Sequence, residues 1–346
     1  MGFTNKFKLN YFNRLILTIN IFFLLVAYCV YLNLFFSPKE IPYFNFLSIG
    51  FPVIFIINLF FLIYWLLFSW KHFILVFILS LGLVYPIYLS YPLINFSKKN
   101  NVKKDFSVLT YNVHGFKDEG TKEFLIENKA DIMILQEARE SQQKLLKNQE
   151  FKDYYSEFYG LLTIYSKYPI IQTKEIFTKN NDFNGAAAYV DIDLGNDTIR
   201  IINLYLEPMY IDKDLVKDII KSDNQQQVEE NSKKVELKLV KGMQSHVSQL
   251  EEVKPYIKAS KHPIILGSDL NSTPLSYEYN QINKLLIDSY INSGKSGIAT
   301  TFHGFKFPIR IDYLFNSKEL IPTNSLIIRK RFSDHYPVIV NYKLEK

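Results

Sequence analysis

Between Glu40 and Lys71 the chain has no charged residue, and between Lys71 and Lys98 only His72 could take a charge. Three apolar runs fill this part: "LILTINIFFLLVAYCVYLNLFF" from Leu15, "LSIGFPVIFIINLFFLIYWLLF" from Leu47 and "FILVFILSLGLVYPIYLSYPLINF" from Phe73. Each reaches the roughly 20 residues needed to cross a hydrocarbon core about 30 Å thick. The pattern predicts three transmembrane helices, at about 15–36, 47–68 and 73–96. Lys6, Lys8 and Arg14 give the basic start of a signal peptide. The first run is too long for one, however, no small-residue cleavage site follows, and two more spans come after it, so a retained anchor is expected. Tyr11, Tyr43, Trp70 and Tyr91 near the run ends fit an interfacial aromatic belt. No acid or base inside the runs marks an ion or substrate path, which argues against transport.

The net charge of +6 hides a division. Residues 1–104 carry nine Lys or Arg and one Glu, a net +8, which leaves 31 basic and 33 acidic residues, a net −2, for residues 105–346. The basicity belongs to the membrane flanks, so the remainder has no strongly basic surface to grip a phosphate backbone. An odd number of spans sets Lys6, Lys8, Arg14 and Lys71 against Lys39, Lys98, Lys99, Lys103 and Lys104, a near balance. The usual dominance of the first helix puts the amino terminus in the cytoplasm and the large domain on the non-cytoplasmic side of a multi-pass protein. Cys29, the only cysteine, lies inside the first run, so the domain has no disulfide and no thiol chemistry. The organisation expected is an anchor over 1–97, a polar linker over 98–104 and one catalytic domain over 105–346.

That domain reads as short β-rich segments at 106–113, 130–138, 161–171, 186–194, 198–206, 262–270, 310–315 and 336–344, several apolar on both faces. Over 232–258, Val235, Leu239, Met243, His246, Leu250, Val253 and Ile257 recur at helical spacing, so one face of a helix should cover a sheet. The polar stretch 211–230 reads as a mobile or partly helical insertion. The expected class is α/β, sheets in layers with helices outside.

Polar residues cluster at the strand ends: Asn112, Glu137, Asp269 with Asn271, Asp312, and Asp334 with His335. Taken singly, Asp269 and Asn271 could form an Asx turn, Asp334 could cap a turn and Glu137 could pair with a lysine. Together they are what phosphate-ester hydrolysis requires. Glu137 and Asp334 suit Mg²⁺ or Mn²⁺, which take carboxylate oxygens and keep several waters. Asp269 can accept a proton from an attacking water, Asn112, Asn271 and His335 supply donors to the phosphoryl group, and Asp312 can orient the imidazole and keep it protonated. His303 and Arg310 carry less weight, the latter expected to pair locally. His246 and His262 read as structural or exposed, and no Cys/His cluster suggests zinc.

The ordered motifs "LTYNV", "DIMILQEA", "YSKYPI", "IINLYLEP", "ILGSDLNSTP", "RIDYLF" and "SDHYPV" resemble those of the endonuclease/exonuclease/phosphatase superfamily from about Asp105 to Leu344. The resemblance implies a four-layered α/β sandwich of the DNase I type, two mostly antiparallel sheets flanked by helices. It also implies a divalent ion on Glu137 with Asn112 and Asp334 close by. Asp269 and Asn271 would position the nucleophilic water and the phosphate, and His335, supported by Asp312, would contact the phosphate. One motif departs: Tyr205 in "NLYL" stands where many members have a histidine, and a phenol stays neutral near pH 7. The chain is thus expected to hydrolyse a phosphate ester, whether nucleic acid, phospholipid or small phosphodiester, at a membrane lipid bilayer. The alternative is a degenerate binding protein that lost its chemistry through Tyr205. No protein partner can be inferred.

Overall fold

In the computed structural model, residues 11–93, 104–139, 151–178, 183–209 and 218–345 are described, apart from 220, 223, 305 and 306. Most of the linker at 98–104 and the first part of the insertion at 211–230 lie outside the described residues.

Three helical stretches, Tyr11–Leu34, Tyr43–Phe68 and Trp70–Ser90, are long and apolar enough to cross a membrane. The first is α1 (Tyr11–Tyr28) continued by a 3₁₀ segment, the second is α2 (Tyr43–Phe68), and the third is α3 (Trp70–Ser80) followed, after one 3₁₀ turn, by α4 (Val84–Ser90). The third stops short of its expected end because Pro92 disfavours helical backbone at the residue before it, and Tyr91 sits at φ −138°, ψ 86°. The helices are joined by buried amides: Asn20 Nδ2 donates to Asn58 Oδ1 at 3.2 Å and Trp65 Nε1 to Asn20 Oδ1 at 3.1 Å. Such bonds hold apolar helices together where lipid offers no partner.

The rest is two six-stranded sheets. One holds β1 (Phe106–Asn112), β2 (Ile132–Gln136), β3 (Tyr155–Tyr159), β4 (Leu162–Ser166), β11 (Leu320–Ile327) and β12 (Val338–Leu344) in the order β11-β12-β1-β2-β4-β3. The other holds β5 (Ile170–Phe177), β6 (Ala186–Asp193), β7 (Thr198–Tyr205), β8 (Ile264–Asp269), β9 (Ile287–Asp288) and β10 (Asp312–Asn316) in the order β5-β6-β7-β8-β10-β9. Among the strands of the described residues, only β1–β2 and β7–β8 pair in parallel, so the sheets are mostly antiparallel. The stretch 161–171, read from sequence as one strand, is two. It breaks at Lys167–Tyr168–Pro169 and passes from one sheet to the other, since a proline cannot donate to a ladder.

Side-chain alternation sends successive residues to opposite faces. Val108, Ile132, Ile134 and Ile164 of the first sheet thus meet Val190, Ile199, Ile201 and Ile265 of the second in the inner core. Their neighbours Leu109, Met133 and Leu135 face outward, under Phe124 and Leu125 of α5 (Thr121–Glu127). The outer face of the second sheet is covered by α6 (Gln225–Lys258) and α7 (Tyr277–Asn283), giving four layers. The sheets approach closely at Gly267, where a Cβ would lie 2.6 Å from Ile134 Cδ1. Gln136 Nε2, donating to Asn203 Oδ1 at 2.9 Å, bridges them near the ends of β2 and β7.

α6 starts earlier than its apolar spacing suggests, capped by Asn224, whose side chain accepts from the N–H groups of Gln226 and Gln227. Met243, His246, Leu250, Val253 and Ile257 are buried as expected, but Val235 and Leu239 are only half-buried. They project beyond the sheet and, with Tyr43 and Phe46 of α2, line a cleft.

The apolar helices also dock on the sandwich through polar groups. Asn33 Nδ2 donates to Leu275 O at 3.0 Å, and Asn45 Nδ2 donates to Glu278 Oε2 at 2.8 Å while its Oδ1 accepts from Tyr277 N at 2.8 Å. Arg310 Nη2 donates to Leu89 O at 3.1 Å, and Gly297 N to Pro92 O at 2.9 Å. Arg310 therefore does not pair locally. Its Nη1 meets Asp288 at 2.8 Å, and the guanidinium joins β9, β10 and the third apolar helix from a fully buried position.

Candidate active site

The parallel pairs β1–β2 and β7–β8 end at the same edge, and antiparallel β10 begins there, with Asp312 opposite Asp269 and Tyr205 also in register with Asp269. This shared edge gathers side chains from positions far apart in the chain. All eight expected residues lie at or beside it.

Asn112, 1% exposed, closes β1 and links the two halves: its Nδ2 donates to Glu137 Oε1 at 3.0 Å and to Asp269 Oδ2 at 2.9 Å. Its Oδ1 is held by the His114 N–H at 3.0 Å. Glu137, just past β2, takes a left-handed backbone at φ 52°, and Asn271, just past β8, one at φ 46°. Such conformations are uncommon for residues other than glycine and collect where side-chain placement matters more than local comfort. Tyr205 donates its hydroxyl to Glu137 Oε1 at 2.9 Å. The phenol at the histidine position thus orients the acid. Asp269 Oδ1 accepts from Asn271 N at 2.9 Å, which forms the Asx turn the pair could make on its own, while its other oxygen faces Asn112. Asn271 gives one amide N–H to Leu206 O at 2.9 Å.

On the other side, His335 Nδ1 lies 3.0 and 2.9 Å from the two oxygens of Asp312. Its Nε2 is 3.8 Å from Asp269 Oδ2 and 3.9 Å from Asp334 Oδ1. Burial disfavours the imidazolium, but the charge of Asp312, then that of Asp269, outweighs it and pushes His335 up to about 10. For Asp269 burial dominates: it raises the carboxyl to about 7 although the His335 cation pulls it down. The Phe302 ring stands edge-on to His335 at 4.8 Å and shields it, and the Ser333 hydroxyl fixes its segment by donating to Asn112 O at 2.8 Å. β12 itself begins only at Val338, so Asp334 and His335 belong to the turn before it.

Asp269, Asp312 and His335 have ligand atoms within 4.8 Å of one another, a spacing a metal ion could use. In the arrangement seen here, both oxygens of Asp312 are turned to His335 Nδ1. Hard oxygens are left at Glu137, which is half-buried and takes both its donors on Oε1, and at Asp334, whose side chain is 34% exposed. One or two acids open to water are the donor set that Mg²⁺ or Mn²⁺ prefers.

Sequence reasoning missed His114. It has φ 48°, and its Nδ1 lies 3.2 Å from Asp118 and 3.8 Å from Asp334, so it borders the site on the acid side. Its place two residues after Asn112 in "NVHG" was the available signal. His303 is drawn in as support, with Nε2 2.7 Å from Ser333 O.

Two facing six-stranded sheets with helices outside and a polar edge of this kind define the DNase I-like α/β sandwich of phosphoester hydrolases. The chain belongs to the endonuclease/exonuclease/phosphatase family, whose model matches residues 109–335. A model for a domain of unknown function matches residues 13–91. Among solved structures, the family member from Bacteroides vulgatus is 14% identical, with 69% of this chain and 99% of that one covered and a TM-score of 0.50. The mannosyl-6-phosphatase of Bacteroides thetaiotaomicron is 17% identical, covering 69% and 100% at a TM-score of 0.50. D. rerio TDP2, complexed with single strand DNA product, is 15% identical, covering 69% and 98% at a TM-score of 0.50. At these identities the likeness is one of fold. No curated protein matches the chain.

Proposed function

We propose that this chain is a membrane-anchored phosphoester hydrolase that depends on Mg²⁺ or Mn²⁺. The observation that carries the reading is the Asn112 amide, which ties Glu137 and Asp269 into one hydrogen-bonded unit beside the His335–Asp312 pair. In this reading Asp269, titrating near 7, takes the proton from the attacking water, and Asn112 fixes the carboxylate that receives it. His335, kept cationic by Asp312, presents Nε2–H to a phosphoryl oxygen, where negative charge grows during in-line displacement. The second amide proton of Asn271 is available to the same group. Tyr205 and Asn112 orient Glu137, which with Asp334 would hold the cation. The cation, when bound, supplies further neutralisation of phosphoryl charge.

The anchor is part of the proposal. The helix ends that touch the domain, near Asn33, Asn45, Leu89 and Pro92, are those that three successive crossings put on one side of a bilayer. This supports a multi-pass protein with the domain on the side of the turn at 35–42, read as the non-cytoplasmic side from the usual dominance of the first helix. A phosphosugar phosphatase and a DNA-bound protein among the structural neighbours support a phosphate ester as substrate without choosing its class. The near-neutral domain favours small or lipid-borne esters over polymeric nucleic acid. The test uses the full chain in detergent on bis-p-nitrophenyl phosphate, phospholipids, RNA and plasmid DNA, with Mg²⁺ or EDTA. Turnover of at least one class that EDTA abolishes is expected, whereas no turnover on any class, or turnover indifferent to EDTA, contradicts the reading.

A further inference from the structure

A cleft of about 500 Å³ lies at the seam between the apolar helices and the catalytic domain, lined by residues other than the acids described above. Lys39 lines it from the turn between α1 and α2, Lys241, Ser245 and Ser248 from successive turns of α6, and Asn184 and Glu207 from the segments flanking β6 and β7. Two cations from separate elements converge here, and neither makes an ion pair with a described residue. Glu207, the one acid in the lining, is buried and has Oε2 engaged by the Asn184 N–H at 3.1 Å. Glu40, next to Lys39, is turned back onto Ser37, whose N–H and hydroxyl it accepts at 2.8 and 3.0 Å. Ser245 accepts from Gln249 Nε2 at 3.0 Å, which uses its oxygen and not its proton.

Both walls are held in place. Asn33 and Asn45 fix the turn on either side of Lys39, and Asn45 is bonded to Glu278, which faces His246 of α6 at 3.0 Å. Among the described residues, the donors the cleft offers thus include two ammonium groups and serine hydroxyls, which suit a phosphate. The turn carrying Lys39 joins two helices long enough to span a membrane, so it lies at headgroup level, where phosphate is borne by lipid.

We propose that this cleft binds the phosphate of an anionic phospholipid and so clamps the catalytic domain onto its own leaflet. The inference rests on the membrane-anchored reading but not on catalysis. Its test is native mass spectrometry of the full chain in detergent, titrated with phosphatidylglycerol or phosphatidylcholine. One phosphatidylglycerol should bind saturably and at least tenfold tighter than phosphatidylcholine. The double variant K39A/K241A should weaken it about thirtyfold, as loss of two lysines from a lipid phosphate implies. K318A/K343A, at the far end of the sheets, should leave it unchanged. All four lysines are exposed, so these variants should fold, and their unaltered turnover of bis-p-nitrophenyl phosphate checks that they do. Equal binding of the two lipids, or full binding by K39A/K241A, would overturn the proposal. Displacement by equimolar inorganic phosphate would also overturn it, by making the site one for free phosphate. Extraction of the chain from membranes by alkaline carbonate would refute the membrane reading separately, and absent turnover in the unmodified chain would refute only the hydrolase reading.

Discussion

Asn112 holds two carboxylates with one amide, so its removal should disturb both sides of the site. Asn112→Ala should lower kcat by about 10²–10³, the usual cost of one preorganised donor, and should lower Tm as well, because a buried carboxylate loses a donor. Tyr205 acts on one of those acids only. Tyr205→Phe deletes the hydroxyl on Glu137 and should raise the Mg²⁺ concentration for half-maximal activity about tenfold, the cost typical of a group that orients a ligand. An unchanged Mg²⁺ titration would show that the phenol merely packs. The pH profile follows from two groups. Asp269 works as a base only when ionised, so activity should rise as pH passes about 7, and it should fall again as His335 loses its proton near 10. Sequence pointed to the acids that meet here, because buried acids at strand ends are rare without a task, but it missed His114 and reached Tyr205 only through the family resemblance. It did not show how they meet. That Tyr205 faces Glu137, or that Asn112 bridges two acids, depends on strand pairings across 68 and 157 positions.

At the level of elements, the buried pair His246–Glu278 ties α6 to α7, and Asn45 of α2 completes it. Burial opposes the charge on each, but their mutual hydrogen bond and attraction raise His246 above its ordinary 6.5 and lower Glu278 below its ordinary 4.5. A raised histidine stabilises fully below 6.5 and loses that contribution as pH climbs through its folded value. A lowered glutamate stabilises above 4.5 and loses it as pH falls through its folded value. The pair should therefore contribute most between about pH 4.5 and 6.5, and Tm measured across pH should decline on both sides of that window more steeply in the native chain than in His246→Gln. Asn45→Ala strands a buried carboxylate and should cost about 1–3 kcal/mol, read as a lower Tm. The apolar spacing of α6 was visible in the sequence, as were most strands. The use of Val235 and Leu239 toward α2, and of Arg310 toward Leu89, was not, because periodicity tells that a face is buried but not against what.

For the whole molecule, the buried amides at Asn33 and Asn45 make the three apolar helices part of the folded unit. A fragment starting at Asp105 would leave Glu278, Tyr277 and Arg310 without their partners on the apolar helices. It should be less stable and less soluble than the full chain in detergent, which a melting comparison checks. The most direct test of the hydrolase account is the rate of bis-p-nitrophenyl phosphate hydrolysis by the full chain and by Asp269→Asn, each with Mg²⁺ and with EDTA. The account predicts a Mg²⁺-dependent rate that falls about 10²–10⁴-fold on losing the base and disappears with EDTA. A rate that survives EDTA, or that Asp269→Asn retains in full, would contradict it.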